Sequence, residues 1–187
     1  MYTTARRPLL QAAASVFAFA ALSAPAGAAV GAGSCPGATD IPASDGDSDA
    51  AAAATHCLVN AERTSRGLRP LRRDANLAQA ARRHSADMVR RGFFAHVSPS
   101  GETLKDRVRE AGYGDPGQGW RAGENLGWGT QERASPNALV DAWLESPAHR
   151  RIMLSSDYRE LGAGVANGAP NKDAPGATYT LNVGVLR

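Results

Sequence analysis

The sequence predicts an α+β domain in which helices precede a small antiparallel sheet. Near the end of the chain, residues 161–166 and 178–185 alternate apolar and polar positions in the manner of strands. Helices that are followed by such a pair favour a fold with helices packed on a sheet. Earlier in the chain, apolar residues recur at the spacing of a buried helical face, at Leu77, Ala80, Ala81, His84 and Met88.

The first 28 residues have the features of a secretory signal peptide. Arg6 and Arg7 form a positive start, residues 9–22 are a 14-residue apolar run, and residues 26–28 are a small-residue cleavage site. The run is shorter than the ~20 residues of a spanning helix, although an anchor that is never cleaved is the alternative. We therefore expect a secreted, extracellular protein with no transmembrane segment after cleavage.

The remaining chain divides into an arm and one domain. Residues 29–50 are rich in glycine, alanine, serine and aspartate, which predicts an irregular acidic arm. Residues 51–187 are enough for one domain with a single core. We expect helices over 49–66, 74–92, 103–111 and 135–146, a turn over 149–154, and strands over 124–128, 161–166 and 178–185.

Caps and breakers support these boundaries. Asp74 is a good N-cap for the second helix, and Gly92 is a plausible stop. Ser135 and Pro136 combine a cap with a proline in the first helical position, a strong helix start. Pro147 should end that helix, because its ring blocks the continuing hydrogen bond.

The charge of the chain gives no reason to expect a nucleic-acid partner. The net charge is +3, and the two arginines of residues 1–28 leave +1 for the rest. Residues 62–91 are locally basic, with nine arginines and three acids. This stretch is either a solvated face of two helices or a surface for anionic cell-wall polymer or lipid head groups.

Two cysteines, Cys35 and Cys57, are present. An oxidising exterior would pair them in a disulfide, and two free thiols are the alternative. With 21 residues between them, closing this loop contributes roughly 3 kcal/mol to stability in the chain-entropy model. We interpret the bond as structural, because it ties the arm to the first helix.

Familiar catalytic signatures are absent from the sequence. It contains no Gly-x-Ser-x-Gly elbow, no His-Glu-x-x-His zinc helix, no P-loop and no dinucleotide fingerprint. Pairing of the cysteines would also leave no free thiol as a nucleophile. A binding protein is therefore a better expectation than an enzyme.

The four histidines supply the candidate site residues. We expect His56 to be exposed and without a role, and His84 to be a hydrogen-bonded core residue on the apolar helical stripe. His96 and His149 lie where a helix gives way to a turn, and loops on a rigid scaffold commonly carry binding residues. Glu145 and His149 are four residues apart, but the proline between them argues against a helical metal pair.

Several short motifs run in order through the chain, from about residue 55 to residue 185. The motifs are Leu58-Val59-Asn60-x-x-Arg63, Asp74-x-x-Leu77-x-x-Ala80, Phe94-Ala95-His96, Gly123-Glu124-Asn125-Leu126, the segment from Trp143 to Arg150, and Leu161-Gly162-x-Gly164. Each is weak alone, but their order and spacing resemble the CAP superfamily of cysteine-rich secretory proteins, antigen 5 and plant pathogenesis-related proteins, in particular its short bacterial secreted branch.

The resemblance implies an α-β-α sandwich, with a central antiparallel sheet between helical layers. It also implies a cleft formed by His96, Glu124, Glu145 and His149. His96 and His149 are then candidate ligands of a divalent cation such as zinc, which suits neutral imidazoles. Glu145 lies one residue before the acid of eukaryotic members, so it either replaces that acid or leaves a site of three residues.

The sequence leaves three functions open. The first is a secreted, monomeric CAP-type binding domain that takes a divalent cation or a small ligand and meets a lipid or cell-wall component. The second is an extracellular hydrolase that uses metal-activated water or a glutamate base. The third is a structural or interaction domain in which the four cleft residues only stabilise the fold. The missing nucleophile motif favours the first.

Overall fold

The computed structural model describes residues 35–187 except residues 115–116 and 172–174, so the predicted signal peptide lies outside the described residues. None of the helices in the described part is long and apolar enough to cross a bilayer. In chain order the elements are α1 (Asp45–Ser65), β1 (Arg72–Arg73), α2 (Ala75–Arg91), α3 (Leu104–Glu110), β2 (Trp120–Thr130), a 3-10 turn (Gln131–Ala134), α4 (Pro136–Glu145), α5 (Pro147–Met153), β3 (Glu160–Asn167) and β4 (Gly176–Leu186).

The strands of the described residues form one sheet in the order β1-β3-β4-β2. β3 and β4 pair antiparallel, which confirms the strand pair predicted at the end of the chain. β2 pairs antiparallel with β4 along its whole length. It begins at Trp120 rather than Glu124. The sequence did not show this earlier start, because the glycines in this segment hide the alternation that marks a strand. β1 adds a parallel edge to β3, and its two residues are too few to give any periodic signal.

Helices cover both faces of the sheet, which confirms the predicted α-β-α sandwich. α2 and α3 lie on one face, and α1, α4 and α5 lie on the other. Alternating residues of β3 set this arrangement. Gly162 and Gly164 face α2 so closely that an added Cβ atom would lie 2.0 Å from the backbone nitrogens of Ala78 and Arg82. The intervening residues point into the larger core cluster, at Leu161, Ala163 and Val165.

The first helix begins at Asp45, four residues earlier than predicted. The Ser44 side chain accepts a hydrogen bond from the backbone of Asp47, and acids in the first turn suit the positive end of the helix. The prediction of an irregular arm over residues 29–50 is therefore wrong for residues 45–50. The described segment before α1 is mostly exposed but anchored at Ala38, which is buried and whose carbonyl accepts a hydrogen bond from Asn137.

Cys35 and Cys57 form the predicted disulfide, with their Cα atoms 5.7 Å apart. The bond joins the segment before α1 to the middle of that helix, and Cys35 is buried. Both cysteines of the chain are thus engaged, which excludes the free-thiol alternative.

Pro147 separates two helices instead of a helix and a turn. It ends α4 as predicted, and it also takes the first position of α5. The sequence predicted only a turn over residues 149–154, because a seven-residue helix holds too few apolar repeats to show a helical period. This break turns the chain so that His149 lies on α5 beside β2.

We predict that Gly164→Ala destabilises the protein by about 1–3 kcal/mol, because the new methyl group would overlap the backbone of α2 and force the layers apart. Urea denaturation measures the loss. Gly119→Ala is the matched control, since an added Cβ there would meet only the Cβ of Arg187 at 3.5 Å. Equal stabilities of the two variants would contradict the close packing of α2 on β3.

Candidate functional site

Glu124 lies at the centre of the candidate site. It occupies the middle of β2, and its side chain is only 2% exposed. Nδ1 of His96 lies 2.8 Å from its Oε1 atom. Burying a carboxylate is costly unless it is paired and hydrogen-bonded. Glu124 therefore needs a second, charged partner.

That partner is Arg107, a residue that the sequence analysis missed. Its Nη2 atom donates to both carboxylate oxygens of Glu124, at 3.1 and 2.8 Å, and its side chain is 3% exposed. A capping box between Thr103 and Asp106 fixes the start of α3, the helix that carries this arginine. Nothing in its spacing separates Arg107 from the many other arginines of the chain, so the sequence held no signal for it.

The segment between α2 and α3 carries His96 and is held at two carbonyl groups. Nε2 of His84 lies 3.0 Å from the carbonyl oxygen of Ala95. Nη2 of Arg107 donates to the carbonyl oxygen of His96 at 3.0 Å. Although the His96 side chain is 58% exposed, the backbone beneath it is therefore fixed.

His149 lies on α5, in the opposite helical layer. It is half-buried, and its carbonyl oxygen accepts a hydrogen bond from Nδ2 of Asn125 at 3.0 Å. Successive residues of a strand point to opposite faces, so Glu124 and Asn125 connect β2 to both layers. Partial burial, followed by the charge of His96, lowers the pKa of His149.

Glu145 stands apart from the other three candidates. It is exposed as the last residue of α4, and its charge acts on Asp141, one helical turn earlier. In the part of the chain that the structure describes, no hydrogen bond or ion pair joins it to His96, Glu124 or His149. Its membership of the cleft stays a prediction from the sequence.

The two remaining histidines are not among the candidate site residues. His84 is 1% exposed and bonded to the backbone, which confirms it as a core residue. Its burial, followed by the nearby charge of Arg107, lowers its pKa. His56 was expected to be exposed, and that was wrong. It is half-buried, and its burial, followed by the charge of Arg73, lowers its pKa.

The surroundings move the pKa values of the two cleft histidines in opposite directions. The hydrogen bond to Glu124 raises the pKa of His96, and partial burial opposes it. Partial burial and the charge of His96 lower the pKa of His149. His96 thus contributes stability that is present below about pH 6.5 and lost as the pH rises through its folded pKa. The contribution of His149 is present above about pH 6.5 and lost as the pH falls through its folded pKa.

Two imidazoles are the most that the candidate site residues could offer a metal ion. Arg107 engages both oxygens of Glu124, so the carboxylate orients His96 and leaves the imidazole Nε2 for a ligand. Among the described residues, no group of three or more His, Cys, Asp or Glu side chains is arranged to hold a metal ion. A zinc ion with three or four protein ligands does not fit this donor set.

The order of elements and the cleft motifs agree with one family model, that of the cysteine-rich secretory protein family, known as CAP. It matches residues 57–183, a span that includes His96, Glu124, Glu145 and His149. The chain belongs to the CAP family. The matched span begins within α1 and ends within β4, so the CAP domain covers nearly all of the sandwich.

Two proteins of Bacillus subtilis (strain 168) are similar to this CAP domain. The uncharacterized membrane protein YlbC is 41% identical over 108 residues, which are 58% of this chain and 29% of YlbC. The uncharacterized protein YkwD is 35% identical over 107 residues, which are 57% of this chain and 39% of YkwD. The similarity thus spans well under half of each relative.

A solved structure with the same fold comes from Bacillus anthracis str. Ames. It is an extracellular protein containing an SCP domain, with a TM-score of 0.62 and 28% sequence identity. The match covers 76% of this chain and 44% of that protein. The CAP sandwich of this chain is therefore similar to a domain of a longer protein.

We predict that Glu124→Gln destabilises the CAP domain by about 3–5 kcal/mol, because it leaves the buried charge of Arg107 without a counter-charge. Glu145→Gln makes the same chemical change at an exposed position, where we expect a change within about 0.5 kcal/mol. Urea denaturation of both variants measures the difference. A loss below about 1 kcal/mol for Glu124→Gln would contradict the role given to this ion pair.

Proposed function

We propose that the chain is an exported CAP-type binding module, without catalytic activity, whose cleft takes a divalent cation such as zinc through His96 and His149. Two imidazoles hold such an ion weakly, so water or a small ligand completes its coordination. In this proposal the module acts at the cell envelope or on an extracellular partner. Glu124 and Arg107 do not touch the ion but orient the first imidazole.

The observation that carries the proposal is the contact between Nδ1 of His96 and the buried Glu124 at 2.8 Å. A metal-binding histidine commonly donates its other ring nitrogen to a carboxylate, which fixes the tautomer and makes the ring a better ligand. His149 has a lowered pKa and is therefore neutral over more of the physiological range, as a metal ligand must be.

Export is supported by the sequence of residues 1–28, with its positive start, apolar run and small-residue site. The disulfide between Cys35 and Cys57 suits an oxidising compartment. The similar Bacillus anthracis protein is described as extracellular, whereas YlbC is named as a membrane protein. These points favour action outside the cytoplasm.

The hydrolase alternative has less support. A glutamate base needs an oxygen that is free to take a proton from water, and both oxygens of Glu124 already accept hydrogen bonds. Glu145 is exposed, and within the described residues no hydrogen bond or ion pair joins it to a histidine. A purely structural role has one observation in its favour, since the ion pair of Arg107 and Glu124 is almost wholly buried.

We predict that the protein binds Zn²⁺ and that His96→Ala and His149→Ala each weaken this binding by about tenfold or more, because each removes one of two ligands. Calorimetric titration at neutral pH, with Ca²⁺ and Mg²⁺ in parallel, measures the affinities. Glu145→Gln is the matched control and should bind Zn²⁺ as the parent does.

A parent protein that binds no divalent ion would overturn the cation proposal and leave the structural role. Binding that survives both histidine substitutions would assign the ion to another place. Hydrolysis of peptide, ester or cell-wall substrates by the parent, abolished in both variants, would show that the module is an enzyme.

A further inference from the structure

β2 is an edge strand, and alternate residues present their backbone N–H and C=O groups on its free side. In the described sheet it pairs only with β4. The amide of Arg187 donates to the carbonyl of Gly119 at 2.7 Å, just before the strand begins. In an antiparallel pair, a residue turns both its N–H and its C=O to the same side, and the side alternates along the strand. The backbone N–H and C=O groups of Arg121 and Gly123 therefore point to β4. Those of Trp120, Ala122 and Glu124 point away from it.

One outward group of this edge is already satisfied. The carbonyl oxygen of Leu126 accepts a hydrogen bond from Nε1 of Trp143 at 2.8 Å, which agrees with the alternation and closes this part of the edge. Within the described residues, the outward amides and carbonyls of Trp120 and Ala122 have no such partner. An unpaired strand edge is a template for another strand.

A groove runs beside the unpaired part of the edge. Its volume is about 440 Å³, and it is lined by Leu104, Lys105, Gln118, Trp120, Arg121 and Ala122. Trp120 is half-buried, and it packs edge-on against Tyr113, with ring centroids 6.0 Å apart. The groove thus has a fixed aromatic wall beside free backbone hydrogen-bonding groups.

The charge of the groove selects its occupant. Lys105 and Arg121 are exposed, and none of the described residues that line the groove is an acid. Asp157 pairs with Arg121 from outside the lining, at 2.7 Å. A second copy of this chain, paired edge to edge about a two-fold axis, would bring Lys105 close to Lys105 of the other copy, whereas Arg121 already has Asp157 as its counter-charge. This like-charge contact disfavours self-pairing and favours an acidic partner.

We propose that the edge of β2 from Trp120 to Glu124 binds an extended acidic peptide segment of another protein, which adds to the sheet as a fifth strand. Backbone hydrogen bonds to Trp120 and Ala122 supply affinity, as in other cases of strand addition. An apolar side chain of the peptide packs on Trp120 and Leu104, and an acidic side chain pairs with Lys105. The interaction uses no metal ion and is independent of the proposed cation cleft.

The probe is a fluorescein-labelled, capped heptapeptide that alternates valine with glutamate, measured by fluorescence anisotropy in the presence of EDTA. We expect saturable binding to the full chain. Hydrogen exchange at the amides of Trp120 and Ala122 should slow when the peptide is present. The same peptide with N-methyl groups on alternate residues should bind at least about tenfold more weakly, because it cannot donate the pairing hydrogen bonds.

Two variants test the surface. Ala122→Pro deletes one outward N–H, a change that edge strands tolerate, and should weaken binding by about tenfold. Lys105→Glu should weaken binding of the glutamate peptide and strengthen binding of a peptide that alternates valine with lysine. Circular dichroism checks that both variants fold. If Ala122→Pro does not fold, Lys105→Glu still tests the surface.

Three results would overturn the proposal. They are no binding of the glutamate peptide, equal binding of its N-methylated form, or binding that ignores both substitutions. Light scattering gives a fourth: a dimer of the parent that Ala122→Pro dissociates would make a second copy the occupant of the edge.

Discussion

The buried ion pair between Arg107 and Glu124 is the interaction on which the rest of the site depends. It joins α3 to β2, and the same arginine nitrogen also holds the backbone of His96. A buried pair of this kind adds little net stability compared with an apolar core, but removal of either partner leaves an uncompensated charge. The pair therefore acts as a positioning device. It determines where the His96 ring can lie and which of its nitrogens remains available.

β2 carries two different surfaces because its residues alternate. Glu124 faces α3, and Asn125 faces α5, so that neighbouring positions connect His96 and His149 from opposite helical layers. Its outer edge is closed at Leu126 by the Trp143 indole and open towards the start of the strand. The candidate site and the open edge thus share one strand, which is paired with β4 along its whole length.

Much of this arrangement was predictable from the sequence, because periods, caps and motifs report on local structure. The stripe of α2, the alternation of β3 and β4, and the Gly-Glu-Asn-Leu motif all gave correct positions. Some of what failed was local, such as the Ser44 cap that starts α1 early and the short helix α5. The rest depended on long-range contacts. Arg107 acquires its role only when α3 meets β2, and β1 exists only because β3 lies beside it. Glu145 was ambiguous in the motif, and in the fold it is the exposed last residue of α4.

If Glu124, held by Arg107, orients the His96 ring, then neutral His96 exists as a single tautomer. Two-bond ¹H–¹⁵N correlation spectra at a pH above the pKa of His96 report which tautomer is present. We expect Nδ1 to carry the proton, because it donates to Glu124, and Nε2 to be the unprotonated nitrogen. A spectrum in which His96 is protonated at Nε2, or in which the two tautomers are equally populated, would show that the ion pair does not orient the ring.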